Sequence, residues 1–314
     1  MELIRTFKKI TKKEVASAGG KGSSLGEMTQ AGIHVPPGFV ILSTAFNRFI
    51  DEAELNVEIH AALDRVNKDD ISTIDSASEK MQAAILAAAM PKDIENAIAD
   101  AFKKLNAEFV AVRSSATAED SSSHAWAGQL DTYLNTTKEN LLENVKKCWA
   151  SLFTSRAIFY RFEKELHNTD ISVAVVVQKM IESEVSGVAF SVHPVTKDRN
   201  QMIIEAVFGL GEAIVSGTVT PDSYVIEKDT RNLLDTNIGG QKKMLVQKKN
   251  EMGNEWKELD ERHGNKQKLS TAQISKLAEL IAKIEKHYGF PVDVEWALEK
   301  GKFYITQSRP ITTL

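Results

Sequence analysis

Apolar residues recur along this chain with two different periods, and the period changes from segment to segment. Spacings of three and four predict helices over residues 44–53, 58–66, 77–89 and 92–105, the last two parted by Pro91, which a helix interior does not tolerate. A short helix over 23–31 is predicted to stop at Gly32, and two more are predicted over 139–152 and 155–165. Strand-like runs fall at 38–42, 109–113 and 130–135, and Ser172–Gln178 (SVAVVVQ) is apolar almost throughout, as in a strand buried on both faces. Beyond it the character changes. Three β segments are predicted between residues 186 and 227, separated by Pro194, by the stretch 209–217 and by Pro221. Residues 228–268 are polar and Lys-rich and read as an exposed β-meander with long turns. A helix over 272–287 then ends at Gly289, and a hairpin of 292–299 and 303–309 closes the chain.

This alternation predicts an α/β (α+β) fold, with a boundary through residues 179–185 that divides a helix-rich first lobe, 1–182, from a β-rich second lobe, 183–314. Composition narrows the function classes. Lys+Arg number 39 and Asp+Glu 43, a net charge of −4 that gives no reason to expect a nucleic-acid or membrane partner. No apolar run approaches the ~20 residues of a membrane span, and the opening MELIRTFKKITKKE has no signal-peptide core. Cys148 is the one cysteine, which excludes an internal disulfide framework and a thiol-rich zinc site. A cytoplasmic setting follows, with Cys148, beside Trp149 on a helical pattern, read as a small buried hydrophobe. The seven histidines form no HExxH motif, and there is no G-x-S-x-G elbow.

Three clusters carry candidate chemistry. In Gly19-Gly20-Lys21-Gly22-Ser23-Ser24-Leu25-Gly26, glycines allow backbone N–H groups to approach an anion and Lys21 supplies a point charge, although neither Walker A nor G-x-G-x-x-G spacing is met. The competing reading, which this motif alone favours, is a plain tight turn before a helix. In the second cluster a strand delivers Arg113 to the hydroxyl-rich Ser114-Ser115-Ala116-Thr117, followed by Gly128-Gln129-Leu130-Asp131-Thr132. Arg binds phosphate bidentately, and the competing reading is a surface pair with Glu119 or Asp120. The third cluster is the final hairpin. With a three-residue turn, Lys300-Gly301-Lys302, Glu295 faces Gln307 and Asp293 faces Arg309 on one side. A carboxylate beside an amide oxygen suits Mg²⁺; the competing reading is a surface Asp293–Arg309 pair. A two-residue turn puts Glu295 and Gln307 on opposite faces.

Taken in order, GGKGSSLGEMTQAGIHVPPGF, VAVRSSATAED, AGQLDTYLN, CWASLFTSRAIFYR, FGLGEAIVSG, DVEW and QSRPI resemble the nucleotide-binding domain of the phosphoenolpyruvate synthase / pyruvate phosphate dikinase family. Rifamycin phosphotransferases carry a very similar domain. The resemblance implies a bilobed ATP-grasp fold that holds ATP between two lobes. It implies that Lys21, Arg113 and Arg309 contact the ATP phosphates, that Gly128 and Thr132 belong to a loop closing over them, and that Gln178 lies by the adenine. Lys179-Met180-Ile181 then forms the interlobe hinge, and Glu295 and Gln307 hold Mg²⁺. It further implies dikinase chemistry, in which a phosphoryl group passes from ATP to a His of a phosphocarrier domain, in cis or trans, with pyruvate bound elsewhere as the final acceptor and AMP and phosphate as products. No Thr-Ser-His-type motif occurs here, so the expectation is an excised domain or one whose remainder another chain supplies. Two alternatives stand beside this one: the same half-reaction serving rifamycin, and a solitary nucleotide-sensing module.

Overall fold

The computed structural model describes residues 2–117, 130–166, 169, 171–248, 253–312 and 314. The chain divides into two units, one of Met1–Glu27 with Pro37–Met180, the other of Met28–Pro36 with Ile181–Leu314.

The first unit is built on strands β1 (Ile4–Thr6), β2 (Gly38–Ile41), β3 (Val110–Ala116), β4 (Thr132–Thr136) and β5 (Val173–Lys179), in the antiparallel order β1-β2-β5-β3-β4. The apolar run of β5 is explained by its central place between β2 and β3. Among the described residues, α1 (Val15–Gln30), α2 (Ser43–Glu52), α3 (Asn56–Leu63), α4 (Ile71–Ala87), α5 (Lys92–Leu105), α6 (Leu141–Ala150) and α7 (Ser155–Glu163) accompany the sheet. Val110, Val112, Val173, Val175 and Val177 enter the same core as Phe46, Phe49 and Trp149. The helix starts have chemical causes: the Asp70 carboxylate accepts from Ser72 N at 3.1 Å ahead of α4, and Thr154 Oγ1 accepts from Ala157 N at 3.3 Å at α7. Pro91 parts α4 from α5, as expected. The helix predicted from residue 23 begins earlier, at Val15, and is broken at Gly19, where φ is 70° and ψ 174°. Strand β1 went unpredicted because three residues show no period.

The second unit holds β6 (Val185–Phe190), β7 (Gln201–Phe208), α8 (Glu212–Val215), β8 (Asp222–Glu227), β9 (Leu233–Asn237), β10 (Lys243–Gln247), β11 (Asn254–Glu258), α9 (Glu261–Gly264), α10 (Thr271–Tyr288), β12 (Val292–Glu299) and β13 (Lys302–Pro310). Six strands form one antiparallel sheet in the order β13-β12-β6-β7-β8-β9. The meander expected over 228–268 is thus divided: β9 joins the edge of this sheet, while β10 and β11 pair as a separate ribbon. Helix α10 starts at a capping box of Ser270 and Gln273, ends at Gly289 (φ 79°) and buries Ile274, Leu277, Ala278, Ile281 and Ile284. Asp222 and Lys268 make a fully buried ion pair at 2.8 Å. Asp222 also accepts from Tyr224 Oη at 2.7 Å, Gly239 N at 3.0 Å and Lys268 N at 2.8 Å, so the buried charge is well bonded. Among the described residues no helix is long and apolar enough to cross a membrane.

Candidate nucleotide site

In the first unit the site begins at the break in α1. Gly19 lies against β3 so closely that an added Cβ would sit 2.3 Å from the Ser115 carbonyl oxygen, in a backbone conformation that glycine adopts without penalty. Ser115 Oγ accepts from Gly22 N at 3.2 Å and donates to Ala18 O at 3.0 Å, tying both sides of the break to the strand. Ser23 Oγ bonds the carbonyls of Gly19 and Gly20 at 2.9 and 3.0 Å. Lys21, half-buried, therefore sits in the first turn of the resumed helix rather than in a loose loop. This is the turn-before-helix geometry the glycines suggested, and a resumed helix start also carries positive potential.

Strand register places the other residues. Arg113 faces Val176 on β5 and Thr132 on β4, Ser115 faces Ala174, and Ala111 faces Gln178. Partners in an antiparallel pair project to one side, so Ser115, Arg113, Gln178 and Thr132 share the sheet face opposite the helical core. Arg113 is buried and donates from Nη1 to Gln178 Oε1 at 3.2 Å. Gln178 is buried too, and its Nε2 has no hydrogen-bond partner among the described residues. A buried amide with unused donors has hydrogen-bonding capacity left for a further acceptor. Met180 ends this unit, its Sδ accepting from Asn135 N at 3.0 Å. Gly128 lies outside the described residues.

In the second unit the β12–β13 hairpin turns differently from expectation. The loop is two residues, Lys300-Gly301, both with positive φ (49° and 74°), and Glu299 faces Lys302. Carried straight along, that register would point Gln307 away from Glu295. A bulge prevents this: Trp296 faces Ile305 while Glu295 faces Gln307, leaving Thr306 as the extra residue. Asp293 then faces Arg309. The predicted pairs form, but by a two-residue turn plus a bulge instead of a three-residue turn. Asp293 Oδ2 accepts from Arg309 Nε at 2.8 Å and from Nη2 at 2.7 Å, which holds the guanidinium over the strand pair. Burial pushes the Asp293 carboxyl up, Arg309 opposes that, and the Glu295 charge adds to it. Glu295 and Gln307 offer a carboxylate and an amide oxygen directly opposite one another. Among the described residues no group of three or more His, Cys, Asp or Glu is arranged for a metal. A cation here therefore needs waters or ligand oxygens to complete its shell, the manner in which Mg²⁺ is bound beside phosphates.

Residues 15–314 match the family described as pyruvate phosphate dikinase, AMP/ATP-binding domain. The chain belongs to this family. A probable phosphoenolpyruvate synthase of Methanocaldococcus jannaschii is 45% identical over the whole chain, and one of Archaeoglobus fulgidus is 47% identical over 97% of it. A rifampicin phosphotransferase of Bacillus subtilis is 38% identical over 99% of the chain. The chain spans 27%, 41% and 36% of the lengths of these three relatives.

Within this dikinase-family chain, sequence reasoning missed two supports. Ser115 was read as part of a hydroxyl-rich loop, yet it lies on β3 two residues from Arg113, so strand alternation alone puts the two on one face. Asp131 accepts from Arg156 Nη2 at 2.6 Å and from Tyr133 Oη at 3.1 Å, while its carbonyl accepts from Ser114 N at 3.1 Å, fixing the approach to Thr132. Asp131 and Arg156 are 25 positions apart, and no spacing rule joins them.

Proposed function

We propose that the chain binds Mg-ATP and delivers a phosphoryl group to a histidine of a phosphocarrier domain. Lys21, Arg113 and Arg309 neutralise the phosphates in this reading, Thr132 and Gly128 belong to the covering loop, and Gln178 reads the adenine with Met180 beside it. Glu295 and Gln307 hold the Mg²⁺, which when bound draws charge from the phosphate oxygens and orients them. Phosphoryl transfer depends mostly on positioning and charge neutralisation, and none of these groups has to act as a nucleophile. The observation that carries the reading is the buried Arg113–Gln178 pair with its unused Nε2 donors: it asks for an acceptor-bearing ring next to a cation that binds phosphate.

The names of the relatives divide between phosphoenolpyruvate synthase and rifampicin phosphotransferase. With more relatives of the first kind among the most similar, we favour pyruvate as the final acceptor, water-consuming dikinase chemistry as the reaction and the cytoplasm as its place. Rifamycin phosphorylation is the second reading, supported by the Bacillus relative. The test is transfer from Mg-ATP to an added phosphocarrier domain. Arg309→Ala and Glu295→Ala should each lower transfer by about 10²–10³-fold, the usual size for loss of one charge-stabilising group, with the circular-dichroism spectrum unchanged. Unchanged turnover in both variants removes these roles. A chain that binds Mg-ATP but never exchanges its phosphoryl group is a nucleotide sensor instead.

A further inference from the structure

Helix α10 buries one side, and its exposed positions include Lys276, Lys283 and Lys286. Lys276 and Lys283 are two turns apart, so they stand in line about 10.5 Å from one another along the helix axis. With Arg231 of the β8–β9 connection, Lys302 of β13 and His34, these lysines line an open cavity of about 520 Å³, whose lining also includes Leu280 and Phe303. All of these residues belong to the second unit. Register sets the cavity apart from the Glu295–Gln307 pair. Phe303 and Ile305 share a face of β13, Ile305 is opposite Trp296, and Trp296 follows Glu295 on β12. Phe303 therefore lies on the face of the sheet that Glu295 does not use, and its ring centroid is 5.7 Å from that of Trp296.

Five cations thus meet one acid, Glu279, in this lining, and among the described residues none of the five forms an ion pair. The next acid of α10, Glu285, is taken by Lys228 at 2.8 Å. Arg231 Nε is buried and has no hydrogen-bond partner among the described residues, so a desolvated donor is left unused at the cavity. Desolvation, then the charges of Lys302, Lys276 and Lys283, hold the His34 imidazole below its ordinary value, so three of the cations act on one point. A solvated lysine face keeps its ammonium groups apart. Here like charges converge from separate stretches of chain on a concave surface, and their repulsion is relieved by an anion. A cavity of this size takes a small molecule; Arg grips phosphate bidentately and Lys attracts it as a point charge.

We propose that this cavity is a second anion site, separate from the nucleotide site, for a small ligand that carries two phosphate groups on a short spacer. The separation of Lys276 from Lys283 sets the distance between the phosphates, Arg231 and Lys302 add to their neutralisation, and Leu280 and Phe303 offer the spacer an apolar surface. Neither the nucleotide reading nor its failure bears on this cavity.

The experiment is calorimetric titration of the full chain with fructose 1,6-bisphosphate as the probe, in excess Mg-ATP so that the nucleotide site is filled, and again with fructose 6-phosphate. Wild type should bind the bisphosphate at a single site and the monophosphate about tenfold more weakly. Lys283→Gln and Arg231→Gln should each weaken bisphosphate binding about tenfold, the usual size for loss of one charge-assisted hydrogen bond. Lys283 is exposed, so its variant keeps the fold even where the Arg231 variant does not. Lys243→Gln, on the β10–β11 ribbon, removes the same charge outside the cavity and should leave the affinity unchanged. A wild type that binds no bisphosphate overturns the proposal, as does equal affinity for the two sugars. So does a loss in Lys243→Gln as large as that in Lys283→Gln, which marks attraction to charge in general. Binding seen only when Mg-ATP is left out puts the bisphosphate in the nucleotide site and overturns it too.

Discussion

The two units hold their polar site residues by opposite means. In the first, Arg113 and Gln178 are buried and bonded to one another, and Ser115 fastens the broken helix to its strand. Those groups are part of the packing. In the second, Glu295 and Arg309 are partly exposed on a hairpin, and strand register with one bulge decides their placement. The fully buried ion pair of that unit, Asp222 with Lys268, belongs to β8 and to the segment ahead of α10, although buried Asp293 also anchors Arg309. In the proposed reading, binding and structure are carried by the same side chains in one unit and largely by different ones in the other. Substitutions at the first unit's site should lose stability and affinity together; in the second unit the two losses should separate.

The largest expected effect is structural and falls in the second unit. Lys268→Met leaves Asp222 charged, buried and short of one partner, at a cost of about 3–5 kcal/mol. Lys268 Nζ also donates to the carbonyls of Gly239 at 2.5 Å and Gly264 at 3.1 Å, bonds that Met cannot replace. Urea denaturation should show the loss, whereas Mg-ATP affinity measured well below the new midpoint should match wild type. A parallel fall in affinity would mean that structure and binding are not separate in this unit.

Gly19→Ala comes next, and here the two losses should coincide. The new methyl would lie 2.3 Å from a backbone oxygen and 2.2 Å from Ser115 Oγ, at a φ that L-residues rarely adopt. We expect about 2–4 kcal/mol of destabilisation, and weakened Mg-ATP binding because Lys21 rides on the same turn. Gln178→Leu should be milder. It deprives buried Arg113 of one acceptor at about 1–3 kcal/mol, and Mg-ATP affinity should fall about tenfold with it. Calorimetry and denaturation on the same samples check both variants; a change in one quantity alone breaks the comparison.

The same contrast explains what could be read from residue order. Periodicity located β5, α5 and α10 to within a residue, and α4 apart from its first six residues, because each buries a regular set of apolar positions. The second cluster pointed to Arg113 because a strand end with hydroxyls after it is a local signal. Gln178 could be placed at the end of its strand, but its unused donors depend on Arg113, 65 positions away, and no local pattern encodes that. The hairpin is the instructive case. A three-residue turn was expected, yet Lys300-Gly301 adopts the two-residue form, and Thr306 restores the pairing by standing unmatched. Threonine carries no propensity for bulges, so two errors of register offset each other without leaving a mark in the sequence.

Cys148 supplies the smallest effect and the sharpest test of how tightly the first unit is packed. Its side chain is wholly buried, and burial pushes its thiol from the ordinary value of 9.0 up to about 12. Between those values the unfolded chain has released its proton and the native state has not, so native stability should fall as pH rises above 9. Alkylation reads the same property. A thiol labelled within the native state would react faster by about tenfold per pH unit up to its raised pKa, because the thiolate is the nucleophile. One labelled only after the unit opens shows the same rise, because opening becomes easier as the exposed thiol ionises, but its rate also climbs steeply with added urea. We expect the second profile, with iodoacetamide labelling measured by mass spectrometry, and a faster rate in Gly19→Ala, whose loosened unit opens more often. A rate indifferent to urea and unchanged by that substitution would show that the glycine turn and the helical core beneath β3 do not share one packing, and the coincidence of binding with structure in this unit would be lost.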